Sequence, residues 1–405
     1  MTFLESVKED FLKELNFISL MGSKIFLYPF IGRSKLKLMG YYFIYFLLLF
    51  TSTQLLLTFC LNGFSDWMEI INMAPNIGVC VMSTIKFTTI HKNRELYREI
   101  FYHFQNDLWD LIPESVNNPK IMAKYKRIAM FINRFMVYYS FPLIVIVDSI
   151  PWLIMNYESR VLGKEIEHRY PFDAWYPFDK VDYYYAAYFW ESFMTAIVIC
   201  IYAYSNILHI SFIAFTCMEL KLLGNCISTL FSHEDIKDIH NGINADTIHN
   251  KINRKLRRII IRYEFLTMIT SKLDAVLGDI MTLSYIFGAT FICLTAFSFT
   301  VVDDLFKSVR YFSFFVSLLC EMFDQCIIGQ VLSDHSEELT DAIYTSDWIY
   351  ADKKTKTLLL MLMLRTQRPL KLTANKYIVM NLNTFSGICS TSYQFFNLLR
   401  TIYHP

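Results

Sequence analysis

The sequence predicts an all-α membrane protein with seven spanning helices, and three observations lead to this. First, the chain of 405 residues is 54% hydrophobic, 17% aromatic and only 19% charged, whereas a soluble domain carries about 25% charged residues. Second, the apolar residues come in blocks of about 20 or more, the length that a helix needs to cross a bilayer. Third, Lys and Arg are concentrated in alternate connecting segments. The net charge of +1 gives no reason to expect a nucleic-acid partner.

Seven apolar blocks follow one another along the chain. The first contains no charged residue and begins too late for a cleaved signal peptide. Several of the others exceed about 25 residues, so we expect tilted helices or helix ends that project into water. The predicted spans are residues 39–61, 68–90, 128–155, 183–218, 266–301, 309–332 and 373–399.

The distribution of basic residues predicts the orientation of the chain. Segments 1–38, 91–127, 219–262 and 333–372 together carry 27 Lys and Arg, whereas the segments on the opposite side carry six. Because Lys and Arg accumulate in cytoplasmic loops, the N-terminus is predicted to be cytoplasmic and the C-terminus extracellular. A G-protein-coupled receptor has the reverse orientation, and the sequence lacks the Asp-Arg-Tyr-like and Asn-Pro-x-x-Tyr-like motifs of that class.

The pattern of residues in the C-terminal third, from the end of span six onward, resembles that of the insect odorant receptor family. One departure is Asn375, where the family commonly has Gly and which we interpret as a tolerant helix-start position. The matching residues are Cys326, Gly329, Ser336, Leu339, Ala342, Ile343, Tyr344, Trp348, Gln367, Arg368, Pro369, Leu370, Phe385, Ser392, Tyr393, Phe396, Leu398, Leu399 and Arg400.

The resemblance implies a function as well as a fold. It implies an odorant receptor subunit, neither an enzyme nor cofactor-dependent, that binds a small volatile odorant. With olfactory co-receptor subunits it would form a heterotetrameric, odorant-gated, non-selective cation channel. Its place would be the plasma membrane, in contact with lipid, in the dendrites of olfactory sensory neurons. The length and short second cytoplasmic loop resemble the ligand-tuning subunits. A gustatory-type ligand-gated channel and a secondary transporter remain as alternatives.

Pro369 predicts a break between two helices, 357–368 and the span 373–399, lying in line. The shorter helix is apolar on more than one face, so it needs protein cover, either from its own subunit or from neighbouring ones. The resemblance implies the second, a cytoplasmic anchor where subunits join. We therefore divide the chain into residues 1–332, spans one to six with the odorant pocket in their outer half, and residues 333–405, the anchor helix and a pore-lining span.

The last span is the most polar of the seven, which has two explanations. Its Asn, Ser, Thr and Gln side chains either form helix–helix hydrogen bonds or line a water-filled pore. By resemblance they line the pore, with Thr391, Gln394 and Leu398 near its narrow end and Leu398 as an apolar gate that closes by dewetting.

Candidate ligand-binding residues lie on single faces of four spans, at helical spacing. Apolar and aromatic side chains with few polar groups suit a small volatile molecule, although the same side chains could simply pack the bundle. The candidates are Met73, Asn76, Ile77, Val145, Ser149, Trp152, Phe189, Ser192, Phe193, Ile197, Phe312 and Phe315.

Charged residues inside the spans are further candidates, because charge at that depth faces a cavity or a partner. We expect Asp148 and Glu191 to border the ligand cavity and to pair with an external loop. Lys272, Asp274 and Asp279 are expected to project into water at the end of a long helix.

Overall fold

The structure, a computed structural model, describes residues 3–27, 35–62, 67–107, 117–161, 163, 168–172, 174–302 and 305–403. Within these ranges the helices are α1 (Phe3–Lys24), α2 (Lys35–Asn62), α3 (Trp67–Lys92), α4 (Arg94–Gln105), α5 (Asn117–Arg160), α6 (Tyr184–Ser228), α7 (His233–His240), α8 (Ala245–Val301), α9 (Leu305–Tyr344), α10 (Lys353–Thr366) and α11 (Leu382–Tyr403). A 3₁₀ turn spans Trp348–Tyr350, and two short strands, β1 (Thr373–Ala374) and β2 (Ile378–Val379), precede α11.

Six predicted spans coincide with helices α2, α3, α5, α6, α8 and α9, and the seventh overlaps α11 from residue 382 onward. The all-α prediction is confirmed. The longest helix, α8, has 57 residues, or about 85 Å at 1.5 Å per residue, so it extends well beyond a hydrocarbon core of about 30 Å. This agrees with the expectation that some helix ends project into water.

In the described part of the chain, five helical segments are long and apolar enough to cross a membrane. They are Lys35–Leu61, Asn118–Arg160, Tyr184–His240, Ala245–Val301 and Lys307–Tyr344. Helices α3 and α11 fall outside that set. The count of seven spans and the side on which each terminus lies therefore remain predictions.

The core of the bundle lies around α6, which packs against α3, α5, α8 and α9. Its second half is buried on nearly every face, with Phe212 and Phe215 fully inaccessible. The N-terminal helix α1 covers this region, and the ring of Phe11 lies 4.7 Å from that of Phe215. Buried Glu14 on α1 accepts a hydrogen bond of 2.9 Å from Asn133 on α5. The apolar core around the second half of α6 is thus closed by α1.

The prediction of one continuous helix from residue 373 is wrong, because 373–379 forms a β-hairpin. Thr373 pairs with Val379 and Ala374 with Ile378 in an antiparallel register. The turn places Asn375 at φ +48° and Lys376 at φ +65°, the left-handed backbone that tight hairpins require and that Gly and Asn adopt most readily. Asn375 therefore occupies a hairpin turn and not a helix start, which explains why an Asn replaces a Gly there.

The hairpin is attached to α8 by two carboxylates. The backbone N–H of Thr373 donates to Asp274 at 2.6 Å, and its hydroxyl donates to the same carboxylate at 3.0 Å. The amide of Asn375 donates to Asp279 at 3.1 Å. The expectation that Asp274 projects into water is wrong, since this half-buried carboxylate holds the connection into α11. Asp279 is exposed, as expected, and also binds the hairpin. Lys272 is half-exposed and pairs with Glu99 at 3.2 Å.

Gly329 on α9 lets the chain pass closely just before α11 begins. A Cβ added at Gly329 would lie 2.1 Å from the carbonyl oxygen of Met380, far inside van der Waals contact. A carbonyl oxygen of the backbone has no rotamer by which to move away. The start of α11 therefore requires glycine at this position of α9.

We predict that Gly329→Ala destabilises the protein by about 1–3 kcal/mol, because overpacking a close contact forces the backbone to shift. The melting temperature of the purified protein in detergent measures this. The matched control is Gly387→Ala on α11, where an added Cβ meets nothing within 4 Å and alanine favours the helix. Equal melting temperatures for the two variants would contradict the close approach.

Candidate functional site

A cavity of about 450 Å³ lies between α2, α3, α5, α6 and α9. That volume suits a small organic ligand, since such pockets measure about 300–1,000 Å³. The walls are mainly aliphatic and aromatic. The apolar lining residues include Leu55, Val79, Phe135, Met136, Tyr139, Leu143, Ile146, Val147, Ile150, Met194, Val198, Ile199, Tyr202, Val309, Phe314, Leu318 and Phe323.

One end of the cavity is lined by Pro171 and Phe172 of the α5–α6 loop, and Glu191 on α6 holds this loop in place. The Glu191 side chain is fully buried and accepts hydrogen bonds from the backbone N–H of Phe172 at 2.9 Å and of Ala174 at 3.1 Å. The Tyr176 hydroxyl donates to it at 3.2 Å. Burial, together with the negative charge of Glu191, raises the pKa of the Tyr176 phenol, so this hydroxyl keeps its proton.

The same loop is bound to two further helices. On α2, the Gln54 amide donates to the Trp175 carbonyl at 3.0 Å, and the Trp175 N–H donates to Thr58 at 2.8 Å. On α9, Arg310 donates to the Pro171 carbonyl at 3.4 Å. The expectation that Glu191 pairs with a loop is confirmed. Asp148 is not among the cavity-lining residues, and its backbone carbonyl accepts from Tyr188.

The opposite end of the cavity is polar, and Lys86 on α3 organises it. Lys86 is 1% exposed, and its Nζ lies 2.7 Å from Oε1 of Glu321 on α9. It also donates to Asn206 on α6 at 3.2 Å and lies 3.9 Å from the ring centroid of Tyr202. We call the four cavity-lining residues Tyr202, Asn206, Glu321 and Asp324 the polar end. Through the ion pair with Glu321 and the hydrogen bond to Asn206, Lys86 links α3, α6 and α9 next to a mainly apolar cavity.

Of the twelve predicted ligand residues, Asn76 lines the cavity. The others lie on neighbouring faces of the same helices: Met73, Ile77, Ser149, Ser192, Ile197 and Phe315 are half-buried, whereas Val145, Trp152, Phe189, Phe193 and Phe312 face outward. On α5, for example, the cavity uses Ile146, Val147 and Ile150 instead of Val145, Ser149 and Trp152. Ligand binding by the predicted set stays a prediction.

The predicted pore residues share one outward-facing side of α11. Thr391, Gln394 and Leu398 are all exposed in the single chain. The other side of the helix packs on the bundle, where the Ser392 hydroxyl donates to the carbonyl of Ala289 on α8 at 2.9 Å. The hydrogen bonds of the inward side thus account for only part of the helix's polarity.

A direct contact connects the cavity to α11. Phe323 lines the cavity, and its ring centroid lies 5.5 Å from that of Phe385 on α11 in an edge-on arrangement. One residue farther along α9 than Asp324, Gln325 donates to Ser284 on α8 at 3.0 Å. Helix α9 therefore contacts both α8 and α11 beside the cavity.

Helix α10 buries one side and leaves the other apolar side uncovered. Its N-cap Asp352 accepts from the backbone N–H of Thr355 at 3.1 Å, and Leu359 and Leu362 pack into the core. Leu360, Met361 and Leu364 are 58–62% exposed. The helix ends before Pro369, as predicted.

The four residues of the polar end were not predicted from the sequence. Lys86, Glu321 and Asp324 lie inside predicted spans two and six, and Arg310 opens span six, so the rule that singled out Asp148 and Glu191 applies to them equally. Charge within an apolar block was the available signal. The pairing of Lys86 with Glu321 had no such signal, because nothing along the chain indicates which face of α3 meets which face of α9.

Comparisons with known proteins agree on one kind of molecule. A family model described as 7tm Odorant receptor matches residues 66–393. Odorant receptor 13a of Drosophila melanogaster is 22% identical over 365 residues, which cover 85% of this chain and 83% of that receptor. Odorant receptor 67a of the same organism is 29% identical over 150 residues, 37% of either chain.

Solved structures support the fold independently. The insect olfactory receptor OR5 from Machilis hrabei in complex with eugenol superimposes with a TM-score of 0.79 at 15% identity, covering 98% of this chain and 99% of that one. The same receptor described without eugenol gives a TM-score of 0.77 at 16% identity, covering 96% and 99%.

We predict that Glu191→Gln loosens the α5–α6 loop, because an amide NH₂ cannot accept a hydrogen bond from the backbone N–H that its oxygen held. Hydrogen–deuterium exchange of a peptide spanning 170–180 should accelerate by about tenfold, the effect of losing a buried hydrogen bond of about 1–3 kcal/mol. Glu264→Gln, an exposed position on α8, is the control. Unchanged exchange in the Glu191 variant would show that the loop is held by its other contacts alone.

We predict that Lys86→Met costs about 3–5 kcal/mol, because it leaves the Glu321 carboxylate buried without its cation. Adding Glu321→Leu should restore most of the stability, since two apolar groups replace the pair. Thermal melting of the single and double variants measures the coupling. The control, Lys272→Met, removes an exposed pair worth at most about 1 kcal/mol. A Lys86 variant no less stable than this control would refute the role of the pair.

Proposed function

The chain belongs to the 7tm odorant receptor family, and from this we propose that it is the ligand-tuning subunit of an odorant-gated, non-selective cation channel. In this proposal it assembles as a heterotetramer with the olfactory co-receptor in the plasma membrane of olfactory neuron dendrites. The N-terminus is cytoplasmic and the C-terminus extracellular. The observation that carries the proposal is the edge-on contact of Phe323 with Phe385, which joins the cavity to the polar helix α11.

Ligand recognition takes place in the cavity. Its apolar and aromatic walls suit a small volatile molecule, and its volume of about 450 Å³ accommodates one such molecule in contact with the walls. The predicted ligand residues on the adjacent faces, such as Trp152 and Phe193, do not line the cavity but influence its shape by supporting the residues that do. The loop held by Glu191 covers one end of the chamber.

Gating is a population shift between two arrangements of α9 and α11. A ligand favours opening only to the extent that it binds the open arrangement more tightly than the closed one. Phe323 is the part of the cavity wall that contacts α11, so a ligand that displaces it also displaces the pore helix. Thr391 and Gln394 then line a wetted pore, and Leu398 closes it when the apolar constriction expels water.

Subunit assembly uses the uncovered side of α10. Leu360, Met361 and Leu364 form an apolar strip on a short helix, and a strip of this kind outside the bilayer requires a protein partner. Neighbouring subunits supply that cover in the proposed heterotetramer. Residues 1–332 thus form the ligand-binding bundle, and residues 333–405 form the anchor and the pore helix.

The decisive experiment is whole-cell recording from cells that express this chain with and without an insect odorant co-receptor, under a panel of volatile esters, alcohols and aromatics. We expect an odorant-evoked cation current only with the co-receptor. Leu398→Ala should raise the current without odorant, because a smaller side chain lowers the barrier to wetting. Leu382→Ala is the control, exposed on α11 but about 160° around the helix.

Other outcomes identify the alternatives. Current without any co-receptor would indicate a self-sufficient channel of the gustatory type. Saturable solute uptake by surface-expressed receptor that carries no current would indicate a transporter.

A further inference from the structure

We propose that the polar end of the cavity selects ligands that donate a hydrogen bond, such as alcohols, phenols and amines, over ethers and hydrocarbons of the same shape. Asp324 is the specificity-determining residue and accepts the ligand's proton donor. This inference deepens the proposed function, on which its biological meaning rests, but it concerns binding and is testable without a channel current.

Lys86, which lies beside the polar end, has no free N–H to donate to a ligand. Its Nζ is already engaged by Glu321 at 2.7 Å and by Asn206 at 3.2 Å, and it lies against the Tyr202 ring. At 1% exposure it presents no surface to the cavity. A ligand that needed a cation from the protein would find none at this end, where the remaining donors are the neutral amide of Asn206 and the hydroxyl of Tyr202.

The polar end contains two carboxylates, Glu321 and Asp324, but among the described residues only one cation, Lys86, contacts it. Lys86 balances the charge of Glu321, and Asp324, which also lines the cavity, makes no hydrogen bond or ion pair with any residue that the structure describes. A carboxyl group within a spanning helix is costly unless it meets a partner. Because Asp324 faces the chamber, the partner that fits is the group that occupies the chamber.

A second unsatisfied acceptor lies beside Asp324. Gln325 is 8% exposed, and its Oε1 has no hydrogen-bond partner among the described residues, although its Nε2 donates to Ser284. Gln325 lines a small void of about 20 Å³ that shares Asn206 and Asp324 with the main cavity. That void has room for one water molecule. Two acceptors, the Asp324 carboxylate and Gln325 Oε1, therefore have no partner among the described residues.

The rest of the cavity orients the ligand. Arg310, the cation at the loop end, already donates to the Pro171 carbonyl, and it lies 14 residues before Asp324, about 21 Å along α9. A small ligand does not reach both ends, so its single donor settles at Asp324 while its apolar body lies among residues such as Val198 and Phe314.

The test measures binding of matched probes by the rise in melting temperature of the full-length receptor in detergent. The probes are octanol, its methyl ether and octane, and phenylethanol, its methyl ether and ethylbenzene. We expect alcohols to bind at least about tenfold more tightly than their ethers, the effect of one hydrogen bond to a charged group. Asp324→Leu should abolish this preference while leaving ether binding unchanged, and Asp324→Asn, which keeps one acceptor oxygen, should reduce it.

Asp341→Asn is the matched control, an exposed aspartate on the same helix away from the cavity, and it should retain the full preference. Equal binding of alcohols and ethers, or no binding of any probe, overturns the inference. So does a preference that survives both Asp324 variants. A preference for alcohols in a receptor that gives no odorant-evoked current supports the inference and contradicts the proposed channel.

Discussion

The ion pair between Lys86 and Glu321 is the interaction on which the centre of the bundle depends. A lysine that is 1% exposed inside a spanning helix is tolerated only with a carboxylate and further hydrogen-bond partners beside it. Its partners lie on α6 and α9, so satisfying one charge fixes the relative rotation of three helices. The cavity lies between these helices, α2 and α5, with the ion pair beside its polar end.

Helix α9 connects every functional part of the molecule. It supplies Arg310 at the loop end of the cavity, Glu321 and Asp324 at the polar end, and Phe323 against α11. Beyond the cavity, Gly329 allows the chain before α11 to pass at close range. Helix α9 thus contacts the cavity, α11 and the segment before α11.

The hairpin before α11 gives the pore helix a fixed base. Asp274 holds Thr373, and Asp279 holds Asn375, so the connection from the anchor region into α11 cannot slide along α8. Leu398, near the other end of α11, is exposed. In the chain, the hairpin lies between α10, which carries the exposed apolar strip, and α11.

The sequence by itself determined the all-α class, the position of six of the seven helices that it predicts to span, the break at Pro369 and the polar character of α11, because length, hydropathy and backbone chemistry are local properties. It also marked Glu191 as a group that needs a partner. The structure alone decided that residues 373–379 pair as strands, that Asp274 holds them, and that Ile146 and Ile150, instead of Val145 and Trp152, line the cavity. Helical spacing groups residues on one face, but only the packing of neighbouring helices decides which face turns inward.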